Sequence, residues 1–230
     1  VAEIEDVLQA ILEKFGPFRL YAHEENGTPH TYQRDRHVHH WMRARGLSFY
    51  EYQQFGVVRR LKSRDMFQKK WFAFMKDKVL PIPKVIPNVS STDVPSILSP
   101  NLHCLNQLSV TGSLLLSGQK GGEFQAIETF KSFFMHRAKN YQYHISKPLA
   151  SSISCSRLSP YLAWGNLSIR FVVQKTEATM AHVPHRRHLE AFMSRIHWHC
   201  HFIQRIEDDP AITTVSMNEA FDHVRQEWEE

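Results

Sequence analysis

The 230-residue sequence has few cysteines, no long apolar run and no secretory start. No stretch approaches the roughly 18 unbroken apolar residues of a membrane-spanning helix, because prolines interrupt the best candidate at Pro81, Pro83 and Pro87. The chain does not open with a charged stub and a short apolar core, so we expect no secretory signal. Its cysteines are an odd number at long spacings, which is typical of a reducing compartment: Cys104, Cys155 and Cys200. We therefore expect a cytoplasmic protein with no membrane partner.

The excess of positive over negative charge is small. Lys and Arg number 28 against 23 Asp and Glu, which gives a formal charge of +5 and a pI near 9.1. Such a surplus is compatible with a nucleic-acid partner but is also common in proteins that bind none. Hydrophobic residues make up 42% of the chain, a content that excludes wholesale disorder.

Helical and strand patterns alternate over about the first 80 residues. The predicted elements are a helix over 2–15, a strand over 18–23, a helix over 32–45, a strand over 47–52 and a helix from Ser63 to about residue 78. Gly46 is expected to end the second helix in a left-handed conformation. Regular alternation predicts an α/β layer with a parallel sheet.

The composition changes after residue 80. Five prolines and many Ser and Asn residues between 80 and 117 predict a surface linker. Helical patterns follow, and residues 189–206 place an apolar stripe on one face and Trp and Phe interleaved with Arg on the other. The predicted fold class is α/β plus all-α: an incomplete Rossmann-like parallel α/β domain (1–80), a linker (81–122) and a helical domain (123–230).

Residues 154–162 place three serines and a thiol just ahead of a predicted helix at Pro160. A helix N-terminus offers unpaired N–H groups and partial positive charge, so a phosphate group could dock there with the hydroxyls. The alternative is that Ser159 caps the helix and the other serines are surface residues. Local chemistry leaves both interpretations open and favours the capping one.

Histidines form two clusters. His197 and His201, four residues apart, could provide two metal ligands, but zinc requires three or four and no HExxH or CxxC motif is present. The sequence therefore predicts no metal site. The second cluster, at His37, His39 and His40, is interpreted as a solvated helix face.

The second half of the chain contains ordered motifs of a known family. Tyr143 is followed twelve residues later by Cys155, which opens the run Cys-Ser-Arg-Leu-Ser-Pro-Tyr-Leu. This arrangement resembles the flavin-binding signature of the photolyase/cryptochrome family, and the segments 164–168 and 195–202 resemble its continuation. In the first half, residues 31–35, 54–59 and 64–71 are similar to segments of the family's N-terminal α/β domain. The resemblance covers about residues 15–228.

The resemblance implies FAD as cofactor and damaged DNA as partner. In the whole protein, blue light would drive electron transfer from reduced FAD to a pyrimidine dimer, the activity of deoxyribodipyrimidine photolyase, a lyase. The alternative within the family is a cryptochrome-type photoreceptor that signals through a protein partner and repairs nothing. A third possibility is a nucleic-acid binder that has lost its flavin.

The resemblance also implies individual roles. Contacts with FAD would come from Tyr143, Cys155, Ser156, Arg157, Leu158, Ser159, Phe192 and Arg195. Trp198 would stack on a flipped dimer, an aromatic face replacing the lost base stacking. Lys147 and His199 occupy positions where the family often carries arginine near DNA.

Several features depart from the family pattern. Cys155 replaces a threonine, and Arg195 stands where the family usually has a glutamate that accepts a hydrogen bond from the damaged base, which arginine cannot do. The sequence also lacks the family's first strands and the segment that follows residue 230. We therefore expect a fragment that is inactive alone, binds FAD weakly or not at all, and self-associates through exposed apolar faces.

Overall fold

The computed structural model describes residues 2–85, 94, 95, 97 and 118–221. Its helices and strands, in chain order, are α1 (Ile4–Phe15), β1 (Arg19–His23), α2 (Pro29–Ala44), β2 (Ser48–Tyr52), α3 (Phe67–Lys76), α4 (Glu123–Met135), α5 (Tyr141–His144), α6 (Pro148–Ser154), α7 (Ser159–Ala163), α8 (Ile169–Met180) and α9 (Arg186–Asp208). Short 3₁₀ turns lie at Arg64–Met66, Arg137–Asn140, Pro210–Thr213 and Glu219–Phe221. Within these ranges no helix is both long and apolar enough to cross a membrane.

The described residues form two compact units. The first is made mainly of residues 2–25 and 30–52, and the second contains residues 26–29, 53–79 and 120–221. The predicted domain boundaries at residues 80 and 122 stay predictions. Most of the predicted linker, together with Cys104 and residues 222–230, lies outside the described residues.

The first unit is a small parallel α/β layer. Strands β1 and β2 pair in parallel, with Arg19 opposite Ser48 and His23 opposite Tyr52. Helix α2 makes the crossover between them, and Gly46 ends it with φ at 67°. The Leu47 amide then donates to the Met42 carbonyl oxygen at 2.9 Å, which closes the turn into β2. The predicted parallel sheet and the left-handed glycine are both confirmed.

The two faces of this sheet differ. Helices α1 and α2 cover one face through a core of Leu8, Val38, Trp41 and Met42, against which Leu20 and Phe49 pack. On the other face Tyr21, Tyr50 and Tyr52 are about half exposed. The Tyr21 and Tyr50 rings lie nearly parallel, with centroids 5.1 Å apart. Parallel sheets are normally covered on both faces, so this aromatic surface sets the first unit apart from an ordinary α/β layer.

The second unit is helical and has one continuous core. Helix α3 belongs to it, because the Arg170 side chain of α8 donates to the Phe74 carbonyl oxygen at 2.8 Å. Ser63 caps the 3₁₀ turn before α3, since its Oγ accepts from the Asp65 amide at 3.3 Å. A parallel α/β layer followed by a helical bundle confirms the predicted fold class.

One predicted capping contact is wrong. The helix near Pro160 begins at Ser159 itself, Leu158 occupies the N-cap position, and no side chain caps it. The helix also has only five residues, so it adds little dipole field to its N-terminus. Neither Ser156 nor Ser159 therefore caps this helix.

We expect Gly56→Ala to destabilise the second unit strongly. A Cβ at this position would lie 2.2 Å from Trp71 Cδ1, and the Trp71 side chain is only 1% exposed and has no space to move. The cost should be about 2–4 kcal/mol in the free energy of unfolding, measured by urea denaturation. Gly121→Ala is the matched control, because nothing lies within 4 Å of its added Cβ. Equal unfolding midpoints for the two variants would contradict this packing.

Candidate functional site

Three buried rings join the helices that carry the candidate site. Phe133 of α4 contacts Phe192 of α9 with ring centroids 4.7 Å apart. Tyr141, the first residue of α5, packs edge-on against both, at 5.5 Å from Phe133 and 5.8 Å from Phe192. We call Phe133, Tyr141 and Phe192 the aromatic joint. It holds α4, α5 and α9 together at one place in the second unit.

The Tyr141 hydroxyl lies within electrostatic reach of two predicted site residues. Burial raises the pKa of Tyr141 to about 12, while the Arg195 charge acts to lower it and Cys155 acts to raise it. Arg195 belongs to α9 and Cys155 follows α6, so charges from two segments that are 40 residues apart in sequence act on the same hydroxyl.

Residues 155–159, which we call segment 155–159, connect α6 to α7. Cys155 is extended, and Arg157 has a φ of 57°, a left-handed conformation that non-glycine residues rarely adopt. The Arg157 guanidinium donates to the Ser152 carbonyl oxygen at 2.7 Å. Leu158 is buried and anchors the segment, while Ser156 is half-buried and Arg157 and Ser159 are exposed. The turn thus presents two hydroxyls and a cation at the surface.

Arg137 holds this segment against α4. Its guanidinium donates to the Cys155 carbonyl oxygen, to the Thr129 carbonyl oxygen at 2.6 Å and to Ser132 Oγ at 3.0 Å. Burial lowers the pKa of Arg137, and the nearby Arg157 charge lowers it as well. The sequence analysis missed this residue, because an arginine 18 positions before its partner in a short turn leaves no periodic signal.

Tyr143 belongs to α5, and Lys147 directly precedes α6. The Tyr143 side chain is 58% exposed and its ring packs edge-on against His188, with centroids 5.0 Å apart. His188 is buried, and its Nδ1 accepts from the Gln142 amide at 3.2 Å. Burial lowers the pKa of His188, and the His185 charge lowers it further. Lys147 is exposed at the start of α6.

The outer face of α9 carries an exposed aromatic pair next to a cation. Trp198 is 45% exposed and contacts Phe202 edge-on at 5.9 Å. The Arg195 guanidinium carbon lies 4.1 Å from the centre of the Trp198 ring, a cation–π contact. Arg195 thus covers part of the exposed Trp198 ring.

His199 is half-buried, and Leu158 and Phe192 are buried. His199 packs edge-on against Phe55 at 5.1 Å, and burial lowers its pKa. Leu158 and Phe192 are each 1% exposed and belong to the core. Their predicted contacts with DNA or flavin stay predictions.

The histidines of the two clusters have different surroundings. Within the described ranges no group of three or more His, Cys, Asp or Glu side chains is placed to hold a metal ion. His197 packs edge-on against Trp71 at 4.8 Å, and Arg64 bridges from His201, at 3.2 Å, to Asp208, at 2.8 Å. The histidines of α2 are exposed, as the interpretation of a solvated helix face requires: His37, His39 and His40.

The architecture is that of a photolyase/cryptochrome-like fold: a parallel α/β layer followed by a helical unit. The crystal structure of the cryptochrome of Synechocystis sp. PCC6803 is similar to it, with a TM-score of 0.57 and 16% sequence identity. The match covers 88% of this chain and 44% of the cryptochrome chain, so the chain spans less than half of that protein. No protein-family model and no curated protein matches the sequence.

Acidification should destabilise the second unit through His197. Burial lowers the pKa of His197, and the charge of His201 lowers it further, so the folded state disfavours the protonated ring. A depressed folded-state pKa means that stability is complete above the unfolded pKa of about 6.5 and is lost as the pH falls below it. We expect urea midpoints to decrease between about pH 7 and pH 5.

His197→Leu should reduce this pH dependence and leave the part that His188 and His199 contribute, because burial lowers the pKa of those rings as well. His182→Leu, a change at an exposed histidine of the same unit, should leave it as in the parent protein. The explanation fails if both variants keep the full slope of unfolding free energy against pH.

Proposed function

We propose that this chain is the cofactor-binding portion of a photolyase/cryptochrome-like flavoprotein. The observation that carries the proposal is a chain of contacts from segment 155–159 to α5 and α9. Arg137 donates to the Cys155 carbonyl oxygen and lies over the Phe133 ring, which packs on Tyr141 of α5 and Phe192 of α9. Segment 155–159, α5 and α9 are the elements on which the sequence motifs of the family lie. The identity of the chain to its structural neighbour is too low to transfer function by itself, so the proposal rests on the residues.

The residues present fit a flavin dinucleotide. Ser156, Arg157 and Ser159 offer hydroxyls and a cation to a diphosphate, and the five-residue helix after them is too short to contribute much by its dipole. The exposed Tyr143 ring offers an apolar wall, and Arg195 offers a second cation whose charge reaches Tyr141. When bound, FAD would supply the blue-light absorption and one-electron chemistry that the resemblance implies.

We further propose damaged DNA as the partner of the photolyase form. Trp198 and Phe202 give a stacking surface, and Lys147 and Arg195 provide positive charge for phosphates. In this form Trp198 would replace the stacking that a flipped pyrimidine dimer loses.

The second candidate is a cryptochrome-type photoreceptor without repair activity, and Arg195 favours it. Its guanidinium already contacts the Trp198 ring at 4.1 Å, so a base must displace it before stacking. Arginine also cannot accept a hydrogen bond from the lesion. Both features should lower the preference of the protein for damaged over intact DNA.

FAD should bind this chain weakly but saturably. The chain spans 44% of the cryptochrome chain it resembles, so we expect a Kd no tighter than about 0.1 mM by equilibrium dialysis. Tyr143→Ala should weaken binding about fivefold, the value of one aromatic contact. Phe124→Ala removes another exposed ring, 71% exposed on α4, and should change nothing. Absence of saturation, or equal loss in both variants, would contradict the site.

Binding to ultraviolet-irradiated and intact oligothymidylate should separate the two candidates. For the photoreceptor we expect nearly equal affinities, because Arg195 covers Trp198. Arg195→Glu should raise the preference for irradiated DNA about tenfold, since it uncovers the ring and adds a hydrogen-bond acceptor. Arg205→Glu makes the same charge change on α9 and should lower both affinities without changing their ratio. A parent protein that already prefers irradiated DNA strongly would favour the photolyase.

A further inference from the structure

We infer that Arg137 is the positioning residue that fixes segment 155–159 in the conformation that receives the diphosphate of the cofactor. The inference rests on the proposed function for the identity of the ligand. The holding of the segment by Arg137 rests on the geometry alone.

Arg137 binds acceptors on two different segments. One guanidinium joins three acceptors: the carbonyls of Cys155 and Thr129 and the hydroxyl of Ser132. Ser132 Oγ in turn donates to the Thr129 carbonyl oxygen at 3.0 Å, so the acceptors on α4 form a fixed pair. These three acceptors are all neutral, and of the three only the Cys155 carbonyl lies outside the α4 region. The arginine thus connects α4 to the first residue of the segment.

Segment 155–159 has a backbone conformation that needs support on both sides. After Cys155 the chain passes through the left-handed Arg157 before Leu158 enters the core. A left-handed non-glycine residue persists only where its surroundings hold it. Leu158 holds the segment at one end and Arg137 at the other, so Ser156 and Arg157 lie between two fixed points. If the Cys155 carbonyl were released, the backbone that carries Ser156 would lose one of its two fixed ends, and Arg157 would keep only its own contacts, such as the one to the Ser152 carbonyl oxygen.

The arrangement of three acceptors around Arg137 suits arginine specifically. A planar fork reaches three acceptors in different directions, while a lysine ammonium on a flexible chain is a point donor. Arg170 provides a comparison elsewhere in the unit, because it donates to the Phe74 carbonyl oxygen at 2.8 Å and lies 4.1 Å over the Phe74 ring. Arg170 joins α8 to α3 and has no hydrogen bond to segment 155–159. Its loss therefore removes a similar arginine–carbonyl hydrogen bond from the unit and leaves the segment unchanged.

Hydrogen exchange and thiol labelling test the positioning without any cofactor. In Arg137→Ala, amides of residues 155–159 should exchange at least about tenfold faster, with α8 and α9 unchanged. Cys155 should react faster with N-ethylmaleimide, while the buried Cys200 serves as internal reference for global opening. Arg137→Lys should restore part of the protection, and Arg170→Ala should leave the segment as in the parent protein. Unchanged exchange in the segment, or equal acceleration throughout the unit, would overturn the inference.

Equilibrium dialysis with FAD then separates the inference from the proposed function. If the parent protein binds FAD, Arg137→Ala should weaken binding about tenfold and Arg170→Ala should not. Equal affinities of the parent and Arg137→Ala would overturn the inference while the proposed function stands. If the parent protein does not bind FAD, the proposed function and the ligand named here fail, and the exchange result alone decides whether Arg137 holds the segment.

Discussion

The packing of Phe133, Tyr141 and Phe192 is the interaction on which the candidate site depends. Each ring comes from a different element, and burial of large apolar side chains is the main favourable term in folding. Because protein interiors are close-packed, a change in any one ring shifts the helices that carry the other two. The positions of segment 155–159 and of the α9 side chains therefore follow from a core contact, although the residues proposed to bind ligands lie at the surface.

Two arginines of the second unit, Arg137 and Arg195, have different environments. Arg137 is half-buried, and its hydrogen bonds to two carbonyls and a hydroxyl make it part of the framework. Arg195 lies over the exposed Trp198 ring, where it remains able to meet a ligand. Both carry the same charge, and their surroundings alone make one part of the framework and leave the other at the surface.

Helix α9 shows how one element serves both the core and the surface. On its inner side the buried Gln204 is fixed to the loop before α3, since its amide accepts from the Val58 amide at 2.7 Å and donates to the Val58 carbonyl oxygen at 3.1 Å. On its outer side Trp198 and Phe202 are exposed. A helix held this firmly presents its aromatic side chains at a fixed angle, and rigid support of this kind favours recognition of a flat ligand.

The sequence alone determined the alternation of helices and strands, the left-handed Gly46, the two faces of α9 and the motifs that resemble the photolyase/cryptochrome family. These are local properties, because periodicity and turn chemistry act over a few residues. Only the tertiary structure decided that Ser159 does not cap its helix, that Leu158 and Phe192 lie in the core, that Arg195 covers Trp198 and that Arg137 holds Cys155. Each of these depends on which side chains meet across long separations in the chain, and packing, which no local pattern encodes, selects those partners.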